Sequence, residues 1–141
     1  MNILFYITPK SEVAYLYDTD TVRQAMEKME KHRYAAIPII SKNGGKYLGT
    51  LTEGDLLWSI KENQIFTIHD GENVSIMQIK RNRDNEPVGV DADMEDLINK
   101  SMNQNFVPII DSDKCFIGII KRKDIIQYLS GKLAKYKQET K

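Results

Sequence analysis

Tyr34-Ala35-Ala36-Ile37-Pro38-Ile39-Ile40, a polar loop, and Tyr47-Leu48-Gly49-Thr50-Leu51-Thr52-Glu53-Gly54-Asp55-Leu56-Leu57 decide the fold, because the chain repeats them. The second copy reads Gln104-Asn105-Phe106-Val107-Pro108-Ile109-Ile110, a loop, and Phe116-Ile117-Gly118-Ile119-Ile120-Lys121-Arg122-Lys123-Asp124-Ile125-Ile126. Such self-similarity means two copies of one supersecondary unit, with one candidate site in each. Pro108 follows Pro38 by 70 residues and Gly118 follows Gly49 by 69, so the turn between them is one residue shorter in the second copy.

Ala36 to Ile40 and Phe106 to Ile110 are continuous apolar runs, the pattern of strands covered on both faces. Ser41 to Lys46 and Asp111 to Lys114 read as hairpin turns, with return strands over Tyr47 to Leu51 and Cys115 to Ile120. Upstream, Val13 to Tyr17 and Val88 to Val90 are short β-rich runs. Val22, Ala25, Met26 and Met29 recur at i, i+3, i+4 and i+7, which predicts a helix capped from Asp18-Thr19-Asp20-Thr21. Its counterpart carries Met94, Leu97 and Ile98 inward and is capped by Asp91 or Asp93. One closing helix starts at Thr52 or Gly54, with Leu56, Leu57 and Ile60 facing inward; the other follows Lys121 and carries Ile125, Ile126 and Leu129.

Each copy is therefore β-α-β-β-α. The expected division is a first repeat over 1–62, a linker and entry over 63–79 with a loop at His69 to Asn73, a second repeat over 80–131, and a basic tail over 132–141 that frays past Gly131. One copy of about 55 residues is marginal alone. The expected class is α/β (α+β), two β-α-β-β-α repeats packed with pseudo-two-fold symmetry and leaving clefts between them.

Composition narrows the function. The 141 residues carry 20 basic and 20 acidic side chains, so no uniform basic field for nucleic acid exists. One cysteine, Cys115, rules out an intrachain disulfide and suits a reducing interior; it reads as a strand-edge residue. Met1 to Ile7 is apolar but lacks a basic leader, and no apolar run approaches the ~20 residues of a membrane span. A soluble cytoplasmic protein with no membrane contact is expected. His32 and His69 show no metal-ligand spacing. With no nucleophile-base pair, paired acids or P-loop, an enzyme is not expected.

The two motifs resemble the cystathionine-β-synthase (CBS) domain family, whose units carry an h-P-h-h strand core and then G-h-x-[ST]-x-x-D opening a helix. The first copy matches fully, through Ile37-Pro38-Ile39-Ile40 and Gly49-Thr50-Leu51-Thr52-Glu53-Gly54-Asp55. The second matches in part, through Val107-Pro108-Ile109-Ile110 and Gly118-Ile119-Ile120-Lys121-Arg122-Lys123-Asp124. Ile7-Thr8-Pro9 is similar to the family's M-T-P opening. The resemblance implies a free-standing Bateman module with no catalytic activity or catalytic cofactor. It implies adenosine-containing ligands (AMP, ADP, ATP, S-adenosylmethionine or cyclic dinucleotides) and a homodimer, a flat disc of two modules.

The residues allow that chemistry. A helix N-terminus offers free N–H groups to a phosphate. The Thr52 hydroxyl can donate to a phosphate oxygen, Asp55 can accept both ribose hydroxyls, and Gly54 leaves room. The same pair also fits an ordinary N-cap and first-turn acid. By the resemblance, backbone groups near Ala36, Ile37 and Pro38 read the adenine edge, and Thr8, Pro9 and Lys10 form the opposite wall. Tyr34 either stacks on the ring or edges the core. Trp58 reads as a packing or dimer contact.

In the second copy Lys121 replaces the hydroxyl residue, followed by Arg122 and Lys123. Either the site suits a more anionic ligand, or this is a solvated basic helix start. Asp124 keeps the ribose contact open, with Phe106 and Val107 completing a second site. Lys80, Arg81 and Arg83 either add charge to that cleft or form a solvated loop. The expected function is a regulatory adenine-nucleotide sensor acting on an unidentified protein, with its ligand in the first-repeat cleft and more dependence on Asp55 than on Asp124. A ligand-free dimerisation scaffold is the alternative. Nucleic-acid binding through Lys121-Arg122-Lys123 and Lys132 to Lys137 is disfavoured.

Overall fold

The computed structural model describes residues 2–62 and 70–140. The sequence order is β1 (Thr8–Pro9), β2 (Leu16–Tyr17), α1 (Val22–His32), β3 (Ala36–Ile40), β4 (Tyr47–Thr52), α2 (Glu53–Lys61), β5 (Val88–Gly89), α3 (Met94–Ser101), β6 (Phe106–Ile110), β7 (Phe116–Lys121) and α4 (Arg122–Glu139). Each repeat is thus β-α-β-β-α, in a mixed α+β chain with two small sheets. His69, part of the expected connecting loop, lies outside the described residues; Asp70–Glu72 is a short 3-10 turn.

Contacts divide the chain into two compact units that are offset from the repeats. One comprises Met1–Val13, Glu86–Ser112 and Ile117–Lys141; the other comprises Ala14–Asn85 and Asp113–Phe116. The N-terminal arm therefore folds with the second repeat, and the segment leading into the second repeat folds with the first.

In the unit built on the first repeat the strand order is β2-β3-β4, with β2 parallel and β4 antiparallel to β3. Ile37, Ile39 and Leu51 pack with Val22, Ala25 and Met29 of α1 in one buried cluster. All of Ile37 to Ile40 is buried, as a continuous apolar run requires. Thr21 and Gln24 close a capping box at the start of α1. Gly44 and Gly45 hold φ of 102° and 70° in the hairpin turn, where a side chain would strain the backbone.

In the other unit the order is β1-β7-β6-β5. β1 runs antiparallel to β7, pairing Thr8 with Ile119 and Pro9 with Gly118. Ile3, Met94, Leu97, Val107, Ile109, Ile120 and Ile125 form its core, and the Asp93 side chain caps α3.

Two helices depart from the sequence reading. On α2 the buried positions are Asp55 and Ser59, while Leu57 and Ile60 are 60% and 47% exposed. The polar side chains turn inward because backbone groups there satisfy them, and the apolar edge is left outside. On α4 only Ile125 is buried, and Ile126 and Leu129 face out. The helix does not fray at Gly131 but continues to Glu139.

Gly118 and Gly131 set opposite expectations. A Cβ at Gly118 would stand 2.4 Å from the Thr8 carbonyl oxygen, which is backbone and cannot swing away. One at Gly131 meets nothing within 4 Å among the described residues. In urea unfolding, Gly118→Ala is expected to lose about 1–3 kcal/mol, and Gly131→Ala to gain roughly 0.5–1 kcal/mol from helix propensity.

Candidate functional site

The first candidate mouth lies where β4 ends and α2 begins. The Glu53 N–H donates to the Ala35 carbonyl at 2.9 Å, tying the helix start to the residue before β3. The Asp55 N–H donates to Thr52 Oγ1 at 3.1 Å, and the Thr52 N–H donates to Asp55 Oδ2 at 3.0 Å, a reciprocal capping box. The other carboxylate oxygen, Asp55 Oδ1, accepts the Asn82 N–H at 2.9 Å. Asp55 is 3% exposed. Both of its oxygens and the Thr52 hydroxyl are engaged in holding the chain together.

A recess of about 240 Å³ borders this mouth, lined by Asp55, Trp58, Ser59, Glu62, Lys80 and Asn82. Ser59 is buried and donates to the Leu56 carbonyl at 2.6 Å. Trp58 is 53% exposed, with Lys61 Nζ 5.2 Å from its ring centre. Among the described residues Gly54 has only Thr52 Oγ1 near its open side, at 3.7 Å, so none of them demands glycine there.

The segment that meets Asp55 is the one leading into the second repeat. Asp84 Oδ1 accepts the Thr50 N–H at 2.9 Å and Arg81 Nε at 2.8 Å. Gly49 admits this pair: a Cβ there would fall 2.5 Å from Asp84 Oδ1 and 2.9 Å from Arg81 Nη2. Tyr47 Oη donates to the Asn85 carbonyl at 2.7 Å. That oxygen has no proton to give, so Thr50 must donate to Tyr47 Oη across their 2.6 Å contact. Burial raises the Tyr47 phenol far above its ordinary pKa, and the Thr50 bond only partly offsets it. The bond to Asp84 makes the Arg81 guanidinium harder still to deprotonate.

These contacts redistribute the sequence-derived candidates. Tyr34, Ala36, Ile37, Pro38, Thr52, Gly54 and Asp55 share one unit. There Ile37 is core, Ala36 pairs with Thr52, and Tyr34 packs on the core edge near His32. Thr8, Pro9 and Lys10 belong to the other unit, alongside β7. Arg81, read from the sequence as either charge for the second cleft or part of a solvated loop, is paired with Asp84 in the first unit.

The second mouth repeats the backbone and changes the chemistry. The Arg122 N–H donates to the Asn105 carbonyl at 3.0 Å, matching Glu53 and Ala35. Lys121 at the N-cap offers no side-chain cap. Arg122 Nε turns back to the Ser101 and Gln104 carbonyls at 2.8 and 3.1 Å, so it secures the end of α3 instead of facing solvent. Asp124 is half-buried and its carboxylate has no hydrogen bond or ion pair among the described residues. Phe106 and Val107 are buried and can offer only backbone groups to a ligand.

Sequence reasoning missed the structural roles of three residues. Gln104, 4% exposed, accepts the Glu86 N–H at 2.8 Å and donates to the Glu86 and Phe106 carbonyls at 3.1 and 3.2 Å. Asp84 and Arg81 clasp β4. No spacing rule marks Asp84 or Gln104, because they bond backbone groups 34 and 18 residues away, and Arg81 is held through Asp84.

The CBS domain family model matches residues 6–62 and 78–131. An uncharacterised protein of Methanocaldococcus jannaschii, MJ1225, is 22% identical over 90% of this chain. The chain spans about half the length of that curated relative, 49%. Among solved structures, CbpB in complex with c-di-AMP has a TM-score of 0.83 and 24% identity, covering 99% of this chain and 91% of its own. CBSX2 in complex with AMP has a TM-score of 0.72 and 17% identity, covering 92% and 96%.

Two measurements test the site's internal bonding. Asp55→Ala leaves the Thr52 and Asn82 N–H groups without their acceptor and is expected to cost about 1–3 kcal/mol in denaturant unfolding, whereas Asp124→Ala changes stability by less than about 0.5 kcal/mol. The Tyr47 phenol titrates late in the native state, while the unfolded phenol ionises near its ordinary pKa of 10.0. Its contribution is therefore complete below that pH and is lost as pH rises toward the folded value. Tyr47→Phe should flatten that alkaline fall in stability and remove the last phenol step in an ultraviolet absorbance titration.

Proposed function

The chain belongs to the CBS domain family, and from that footing we propose that it is a regulatory module that binds an adenine nucleotide and passes the bound state to a protein partner. The bound molecules of CbpB and CBSX2, c-di-AMP and AMP, share an adenine, a ribose and a phosphate. A site for them needs a carboxylate for ribose hydroxyls and N–H groups or cations for phosphate.

The observation that carries the reading is the state of Asp124. It sits in the first turn of α4, half-buried, with its acceptor capacity unspent among the described residues. We assign the ribose contact to it. Lys121 and the uncapped first turn of α4 supply charge and N–H groups for phosphate. Thr8 joins them from β1: it pairs with Ile119, two residues before Lys121, and its hydroxyl has no partner among the described residues.

The first-repeat set of Tyr34, Ala36, Ile37, Pro38, Thr52, Gly54 and Asp55 enters the proposal as a second, latched position. A ribose can use Asp55 only when Asn82 releases Oδ1. Nucleotide binding there would favour whichever arrangement frees the segment over Lys80 to Asn85, which is how a ligand shifts a conformational equilibrium. The engaged state of Asp55 equally favours the rival reading, a ligand-free scaffold.

Calorimetry and melting curves with AMP, ADP, ATP, S-adenosylmethionine and c-di-AMP separate the two. At least one is expected to bind, and at a hundredfold excess over its Kd to add about 2.7 kcal/mol of stability. Asp124→Ala should abolish that gain and leave the unliganded protein folded. Unchanged melting across the whole panel would leave only the scaffold.

A further inference from the structure

The segment that leads into the second repeat carries bonds toward both mouths. Near its start the Asn82 N–H donates to Asp55 Oδ1 at 2.9 Å. Arg81 and Asp84 stand on either side of Asn82 and bond each other, Nε to Oδ1 at 2.8 Å, so Asn82 sits inside a closed ring. The same Asp84 oxygen accepts the Thr50 N–H, and the Asn85 carbonyl accepts from Tyr47 Oη. These residues all belong to the unit built on the first repeat.

The next residue, Glu86, belongs to the other unit. Its N–H donates to Gln104 Oε1 at 2.8 Å, and its carbonyl accepts from Gln104 Nε2 at 3.1 Å. Gln104 is buried. Its Nε2 also donates to the Phe106 carbonyl at 3.2 Å, and its own carbonyl accepts Arg122 Nε at 3.1 Å. The Arg122 N–H in turn ties the first turn of α4 to the Asn105 carbonyl. Asp124 lies two residues further on. Each of these bonds lies within one unit, and the step from one unit to the other is the Asn85–Glu86 peptide bond.

We infer that this segment couples the two mouths, and that the coupling is negative. A nucleotide at the α4 mouth holds Asn82 on Asp55; a ribose on Asp55 loosens the α4 mouth. The inference rests on the nucleotide-binding reading and adds its regulation. A ribose reaches Asp55 Oδ1 by displacing the Asn82 N–H, and Asn82 cannot leave without carrying the Arg81–Asp84 ring with it. Asp84 and Glu86 are two peptide steps apart, about 7 Å at full stretch, which leaves little slack. Gln104 must then follow Glu86 or release it. Release strands a buried amide without its partners, which is costly. Following pulls on the Phe106 carbonyl and on Arg122. Either way the backbone around Asp124 loses order that a ligand there requires. The reverse holds by linkage: a ligand that fixes the α4 mouth steadies Gln104 and Glu86, and so favours the latched state by the same factor.

The test unlatches the segment in two ways. Asp55→Ala removes the acceptor; Asn82→Pro removes the donor and keeps the carboxylate. Circular dichroism checks that each folds. Without nucleotide, amide hydrogen exchange followed by nuclear magnetic resonance is expected to quicken roughly tenfold at Glu86 and Arg122. The Ala92 amide, bonded to the Gly89 carbonyl in the same unit, should exchange as before. In titrations read at the Lys121 amide, AMP should bind either variant roughly tenfold more weakly than the unaltered chain, although neither substitution touches that mouth. Unchanged exchange at Glu86 and Arg122, an equal rise at Ala92, or an unaltered AMP affinity at Lys121 would each overturn the coupling. Failure of the whole nucleotide panel to bind is a different result: it removes the ligand reading, and the exchange rates alone then decide whether the segment transmits.

Discussion

The structure depends on a close crossing that occurs in each repeat. An extended segment lies against the strand that returns from the hairpin, and a glycine makes the approach possible. At Gly118 the neighbour is the Thr8 carbonyl oxygen; at Gly49 it is the Asp84–Arg81 ion pair. The segment comes each time from the beginning of the other repeat. This explains why the compact units are offset from the sequence repeats. It also gives the motif glycine a physical cause: backbone or a bonded ion pair occupies the space of its missing side chain.

The two helix mouths show how one backbone yields two chemistries. Both are tied by the same hydrogen bond, from the first helical N–H to the residue before the apolar strand. In the first, Thr52 and Asp55 satisfy each other, and Asn82 uses the remaining carboxylate oxygen. A buried carboxylate in that position stabilises the fold because all its acceptors are filled. In the second, lysine at the cap position leaves the turn without a side-chain acceptor, and Asp124 keeps its own. The complete motif is the more structural of the two, and the degenerate one is the more available to a ligand.

Much of the fold was legible in the sequence. The spans of β3 and β6 follow from continuous apolar runs, and α1 from its four spaced apolar residues, because these patterns report burial directly. The inward face of α2 was misread for the same reason: Leu57 and Ile60 are apolar but exposed. Apolarity alone cannot tell a buried face from an exposed one. The site was legible as a set of residue types and not as a bonding pattern. Thr52-x-x-Asp55 is both a capping box and a ligand motif, and only the Asn82 contact shows where its acceptors go. The partner of each extended segment was equally hidden, since pairing between distant segments leaves no local signature.

The central claim is that Asp124 is available and Asp55 is committed. Amide chemical-shift mapping by nuclear magnetic resonance during titration with AMP or c-di-AMP tests it most directly. Shifts centred on Thr8 and Lys121 to Asp124, with the Asn82 amide unmoved, are what the account predicts. Shifts centred on Asn82, Thr52 and Asp55, with the α4 mouth silent, would contradict it.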